Sequence, residues 1–159
     1  MATLPSTKSC FVCGQANPLG LKLRLETDGS KVFARFVPEP GHVGFKGTVH
    51  GGILSTLLDE VMAWACGVGA RQFAYCAEMT VRFSKPARPG STIQAVGELV
   101  ANRRNKLFEV RAELRDEQAV LLASATGKYL PIHNTELREM LEDFEGGPDA
   151  LRKIYGSRS

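Results

Sequence analysis

Residues 49–67 read VHGGILSTLLDEVMAWACG, and the spacing within this stretch decides the fold. Ile53, Leu54, Leu57, Leu58, Val61, Met62 and Ala65 recur at helical intervals, which predicts one long helix with a broad face packed against an apolar partner. At about 100° per residue, Gly52, Thr56, Asp59 and Ala63 gather on the opposite side, which is small and polar with a carboxylate in its middle. Gly67 and Gly69 are expected to end the helix through a left-handed exit. A glycine-rich loop, 40–47, leads into it.

On either side of this helix the period changes from helical to two. Leu21, Leu23 and Leu25 alternate with Lys22, Arg24 and Glu26, and after an Asp28-Gly29 turn the run 31–37 is rich in β-branched and aromatic residues, so a hairpin is expected. Phe108, Val110, Ala112 and Leu114 alternate with Glu109, Arg111, Glu113 and Arg115, the pattern of a strand with one buried and one wet face. Around it lie 75–84, 92–100 and 120–130, separated by turn signals at 86–90, 102–105 and 116–118. Such short connections imply antiparallel neighbours. A helical tail is expected from Thr135 to Phe144, broken at Gly146-Gly147-Pro148 and resuming over 149–155, as a peripheral cap. The expected fold class is α+β, an antiparallel sheet of five to six strands around one central helix with a C-terminal helical extension.

The chain has 159 residues, 43% hydrophobic and 23% charged, proportions that suit one globular domain and exclude a disordered or fibrous chain. The weakly polar stretch 61–70 is half of the roughly 20 residues a membrane span needs, so no span is expected. The first nine residues lack the apolar core of a secretory signal, and a cytoplasmic location is expected. The 20 Lys and Arg alternate with 17 Asp and Glu instead of forming one basic face, so no nucleic-acid partner is expected. Cys10, Cys13, Cys66 and Cys76 are too few and too irregular for a disulfide scaffold. Cys10 and Cys13 form a Cys-x-x-Cys pair, but no second pair exists and His42, His50 and His133 are scattered, so no metal is expected.

The chemistry concentrates at the start of the central helix. First-turn N–H groups lack intrahelical partners and carry the positive end of the helix dipole, and Gly51 and Gly52 let a carbonyl approach them. Such a terminus can stabilise an oxyanion. Asp59 can activate a water or attack a carbonyl carbon itself. Yet Gly51 and Asp59 lie eight residues apart, roughly 12 Å along one helix, too far to share one carbonyl. If both act on it, Asp59 of one subunit must face the helix start of another, which requires at least a two-fold dimer. The plain alternatives are a solvated Asp and a tight Gly-Gly turn.

His50-Gly51-Gly52 leading into Leu57-Leu58-Asp59 resembles the hotdog-fold acyl-CoA thioesterases, specifically the PaaI-like branch of the 4-hydroxybenzoyl-CoA thioesterase superfamily. The resemblance spans about residues 10–131 and includes Cys10-Phe11-Val12-Cys13-Gly14, Asn17-Pro18-Leu19-Gly20-Leu21, Val81-Arg82-Phe83 through Pro86, and Arg88-Pro89-Gly90. It implies a hotdog domain over 1–133, with 134–159 as an extension, and sheets joined edge to edge with the active site at the dimer interface. It further implies Asp59 as base or nucleophile and the Gly51 N–H as the group that polarises the thioester carbonyl. His50 and Gly52 would shape the substrate loop, His50 otherwise serving only to start the helix. Two positions depart from the pattern. Several relatives carry Asn or Gln where Gly44 stands, and relatives often carry Ser or Thr where Cys76 stands. Glu78, read on the same strand face as Cys76, is a further polar candidate. Lys85, Arg88 and Arg104, the last beside Arg103 and Lys106, are candidates for the phosphates of coenzyme A. Phe45, Trp64, Phe73 and Tyr75 are candidates for an aromatic pocket or for the core.

The resulting expectation is an enzyme hydrolysing an acyl or aryl thioester to coenzyme A and a carboxylic acid, with no cofactor beyond the coenzyme A of its substrate. The alternative is a non-catalytic acyl-CoA binder or sensor on the same fold. A dehydratase fits less well, since no His follows Asp59 on the helix. The helix-free sheet face suggests a dimer of dimers.

Overall fold

The computed structural model describes residues 1–151. Seven strands, β1 (Ala2–Thr3), β2 (Leu25–Thr27), β3 (Lys31–Phe36), β4 (Ala74–Phe83), β5 (Ile93–Arg103), β6 (Leu107–Arg115) and β7 (Leu121–Pro131), form one antiparallel sheet. Their spatial order is β1-β2-β3-β5-β6-β7-β4. The sheet curls around α1 (Gly51–Ala70), which packs chiefly on β5, β6 and β3. Leu57, Leu58, Val61, Met62 and Ala65 are wholly enclosed, each large side chain contributing about 1.5–3 kcal/mol of burial. By length and composition α1 could cross a membrane, but here it is the core helix of the sheet.

Several expectations are corrected. α1 runs through Gly67 and Gly69 and ends at Arg71, which itself adopts the left-handed conformation (φ 55°). The two glycines serve close packing instead: a Cβ at Gly67 would lie 2.9 Å from the Phe73 ring, and one at Gly69 would lie 2.8 Å from Leu99 Cβ. The short 86–90 connection does not make β4 and β5 neighbours, because β4 pairs with β7 while β5 lies between β3 and β6. Leu21 and Leu23 point inward as their alternation implies, but they precede β2. Their N–H groups donate to the Phe11 and Val12 carbonyls, so the Cys10–Cys13 segment supplies the neighbouring backbone.

The tail is part of the core. α2 (Asn134–Glu142) delivers Phe144, 1% exposed, to a cluster with Trp64 and Phe73, whose ring centroids lie 5.7 Å from it. The Lys8 N–H donates to the Asp143 carbonyl and the Glu145 N–H to the Ser6 carbonyl, stitching tail to N-terminus. A 3-10 turn follows at Gly147–Leu151; the rest of the expected second tail helix lies outside the described residues. The outer sheet face is laced with ion pairs, Lys31–Glu98–Arg111, Arg115–Glu113 and Lys128–Glu78, rather than apolar. β4 is the long edge of the sheet, its ten residues paired on one side only and mostly exposed, with Tyr75 and Phe83 more than half exposed.

Candidate functional site

His50 caps α1. Its backbone is extended, its Nδ1 accepts the Gly52 N–H at 2.8 Å, and its carbonyl accepts the Ile53 N–H at 2.9 Å. A side chain accepting from the first turn is a cap worth about 1 kcal/mol. With Gly52 and Ile53 satisfied, the Gly51 N–H is the first-turn donor with no hydrogen-bond partner among the described residues, and it stands at the positive end of the 20-residue helix dipole.

The loop before the helix holds this donor in place. The His50 N–H donates to the His42 carbonyl, Gly44 to Thr48, and Val49 to Ala87 at 2.9 Å. Arg88 Nη1 donates to the Gly47 carbonyl at 3.3 Å. Between the loop and the end of β4 opens a cavity of about 530 Å³, lined among others by Gly44, Phe45, His50, Gly51, Phe83 and Lys85. Phe83 leans over the helix start, its Cζ 3.3 Å from where a Gly51 Cβ would stand. The cavity is mostly apolar with one unsatisfied N–H and one lysine, the chemistry of a site for a carbonyl compound with an anionic end.

Asp59 does not line this cavity. It lies two turns along α1, facing β7 and β4, where Tyr129 Oη donates to its Oδ1 at 2.5 Å. Tyr129 is fully buried, and burial, with the Asp59 carboxylate next, pushes its hydroxyl well above the ordinary tyrosine range, so it stays a donor. Cys76 pairs with Tyr129 across the β4–β7 ladder and turns to the same side, toward Asp59. Partial burial of its thiol, with the Asp59 charge adding to it, pushes Cys76 upward, away from a thiolate. Sequence reasoning missed Tyr129. Its one signal is a large residue with a polar tip at an inward position of β7, where a buried hydroxyl needs a partner.

Glu78 is not on the face of Cys76. The register slips between them, so that Cys76 opposes inward Tyr129 while Glu78 opposes outward Lys128 and pairs with it at 3.2 Å. A β-bulge at Ala77 breaks the alternation on which their shared face rested. Nor do the basic candidates converge within one chain. Lys85 lines the cavity and Arg88 braces its loop, whereas Arg104 (φ 56°) sits in the β5–β6 turn, at the sheet end that carries Tyr129 and Cys76. Trp64 and Phe73 belong to the core with Phe144; Phe45 lines the cavity, and Tyr75 is exposed on β4. One chain therefore carries two separate features, a helix-start donor with its cavity and a Tyr129-held carboxylate, at opposite ends of β4.

A family model described as the Thioesterase superfamily matches residues 46–123, the segment from the cavity loop to the start of β7. No curated protein matches the chain. Among solved structures, the chain is similar to zebrafish thioesterase superfamily member 2 (TM-score 0.63, 22% identity, covering 69% of this chain and 81% of that one). It is also similar to the Escherichia coli PaaI protein from the phenylacetic acid degradation operon (0.64, 21%, covering 69% and 83%). A third similar structure is a hypothetical thioesterase protein of Streptococcus pneumoniae with coenzyme A (0.63, 16%, covering 70% and 90%). The seven-stranded antiparallel sheet around α1 is the fold these structures share with it. With that architecture the chain has the hotdog fold, and its segment over the helix and cavity is similar to the thioesterase superfamily.

Proposed function

We propose that this chain is an acyl-CoA thioesterase whose active site is completed by a second copy of itself. The observation that carries the reading is the separation of the two half-sites: the unpaired Gly51 N–H and the Tyr129-held Asp59 lie on one helix, roughly 12 Å apart by rise. An exposed ten-residue edge strand is a surface that needs covering. Antiparallel pairing of β4 with its copy, about a two-fold axis near the strand's middle, reverses the strand and carries the Cys76 end of one subunit to the Phe83 end of the other. Asp59 then approaches the partner's cavity. This is a dimer at least; the ion-paired outer face gives no apolar reason for a further layer.

In the shared site the thioester carbonyl oxygen accepts from the Gly51 N–H, and Asp59 removes a proton from a water that attacks the carbonyl carbon. The oxyanion that forms is held at the helix start, an interaction of the kind worth about 2.7–4 kcal/mol in the transition state. Collapse breaks the carbon–sulfur bond, releases coenzyme A with the returned proton, and leaves the carboxylic acid. Direct attack by Asp59, giving an anhydride that water opens, uses the same geometry. Tyr129 orients the carboxylate in both. Lys85 at the cavity and Arg104, brought from the other subunit, suit the phosphates of coenzyme A. A similar structure holding coenzyme A supports this ligand class.

The test is a panel of aryl, short-chain and long-chain acyl-CoA thioesters with thiol release as readout. Asp59→Asn should abolish most hydrolysis while folding and assembly persist; full activity in that variant overturns the reading. Two observations favour a second reading, a non-catalytic acyl-CoA sensor. Gly44 packs against His50 and offers the cavity no side chain, and Cys76, opposite Tyr129, presents a thiol, a weaker hydrogen-bonding group than a hydroxyl. Tight acyl-CoA binding by calorimetry without thiol release selects it.

A further inference from the structure

The cluster the reaction leaves unused lies beneath the N-terminal segment. Cys10 Sγ, Cys13 Sγ and a Glu60 carboxylate oxygen come within 4.8 Å of one another. Cys13 is buried at 2% exposure, Cys10 is half-buried, and Glu60 keeps some exposed surface while its carboxyl end is enclosed beneath them. None of the ion pairs among the described residues includes Glu60. Lys22, just after the turn, commits its ammonium to the Gly14, Gln15 and Asn17 carbonyls. The nearest polar partners of Glu60 are the Cys13 thiol and the Trp64 indole. An enclosed carboxylate without a cation is costly.

The segment is built around the sulfurs. The Val12 N–H donates to Cys10 Sγ at 3.2 Å, and the Cys13 backbone N–H points to the same sulfur. The Gly14 N–H closes the turn on the Cys10 carbonyl at 3.0 Å. Only glycine fits there, since a Cβ would stand 2.3 Å from that carbonyl oxygen. Asn17 then locks the loop: its Oδ1 accepts the Leu19 N–H and its Nδ2 donates to the Ser9 carbonyl. N–H groups aimed at a sulfur stabilise it as a thiolate, the form that ligates metals.

We propose that Cys10, Cys13 and Glu60 form a binding site for a thiophilic divalent cation, zinc being the best chemical fit, that clamps the N-terminal segment onto α1 beside Asp59. Two thiolates and a carboxylate suit zinc, a borderline-soft ion, over magnesium or calcium, which favour oxygen donors. Bonds of about 2.3 Å to sulfur and about 2.0 Å to oxygen at tetrahedral angles put donors roughly 3.5–3.8 Å apart, a small contraction of the cluster. Binding forms two metal–sulfur bonds and one metal–oxygen bond and releases the thiol protons to solvent. The fourth position falls to water. The ion supplies the positive charge that Glu60 lacks.

The full-length protein, purified under reducing conditions without a polyhistidine tag, should carry about one zinc per chain by elemental analysis. After chelation, cobalt(II) should restore one equivalent with thiolate-to-cobalt charge-transfer and tetrahedral ligand-field bands. Zinc should raise the thermal midpoint of the chelated protein. Cys10→Ala, Cys13→Ala and Glu60→Gln should each weaken cobalt binding at least tenfold, while Cys76→Ser retains it. The wild-type spectrum needs no variant to fold. A reduced wild-type protein that takes up no cobalt overturns the proposal. So does metal that persists equally in all three variants, or a metal-free Cys10–Cys13 disulfide in protein isolated anaerobically.

Discussion

Replacing Tyr129 by Phe isolates the contact that holds Asp59. The substitution keeps the ring, which is wholly buried on β7, and deletes only the hydroxyl that donates to Asp59 Oδ1 at 2.5 Å. A buried hydrogen bond to a charged acceptor contributes about 1.5–3 kcal/mol, and its loss leaves a carboxylate oxygen unpaired. A loss of about 2 kcal/mol lowers the melting midpoint of a domain this size by roughly 4–8 °C. Urea unfolding should show a lower midpoint at unchanged slope, because the exposed surface does not change. Hydrolysis should fall chiefly in kcat, since a loosened carboxylate misorients the attacking water without disturbing the cavity around Gly51. In a double-mutant cycle with Asp59→Asn, the coupling should exceed about 0.5 kcal/mol. A Tyr129→Phe protein with wild-type urea midpoint and wild-type kcat would refute the assignment of Tyr129 as the residue that positions Asp59.

Three further outcomes follow from the same geometry. Gly51→Ala places a methyl group 3.3 Å from the Phe83 ring in the path of an approaching carbonyl, so hydrolysis should fall at least tenfold while stability holds or rises by up to about 1 kcal/mol, alanine being the better helix former; equal losses of both would contradict it. Phe144→Ala should cost about 3–5 kcal/mol by calorimetry, because the ring fills a core cluster with Trp64 and Phe73; a loss below about 1 kcal/mol would return the tail to the periphery. Arg111, with Lys31 beside it, holds the Glu98 carboxyl below its usual range. Its contribution is therefore present above the unfolded-state value and lost as pH falls through the lower folded-state one. Glu98→Gln should cost at most about 1 kcal/mol at neutral pH, less in high salt, and nothing once pH has fallen below the folded-state value, read from urea midpoints across pH.

What the sequence makes legible is what local periodicity encodes. The apolar recurrence from Ile53 to Ala65 marks α1, and the alternation from Phe108 to Leu114 marks β6, to within a few residues of their ends. The distance between Gly51 and Asp59 is legible too, because helical rise is fixed. Pairing is not. β4 joins β7 rather than β5, since strand order is set by contacts between segments remote in the chain. A single bulged residue, Ala77, turns Glu78 outward, and nothing in its local pattern announces the slip. Tyr129 meets Asp59, and Glu60 meets the Cys10–Cys13 turn, only after folding brings distant positions together. Counting ligands along the chain does not register the Glu60 carboxylate that the helix brings beside the two cysteines.

Subunit complementation tests the shared site most directly. Asp59→Asn and Gly51→Val homodimers should each be inactive, the valine filling the helix start beneath Phe83. Mixed in equal amounts and exchanged to equilibrium, half of the dimers become heterodimers, each with one site free of both substitutions, so activity should recover to about a quarter of wild type. Confirmed subunit exchange with no recovery would show that Asp59 and Gly51 do not meet across an interface.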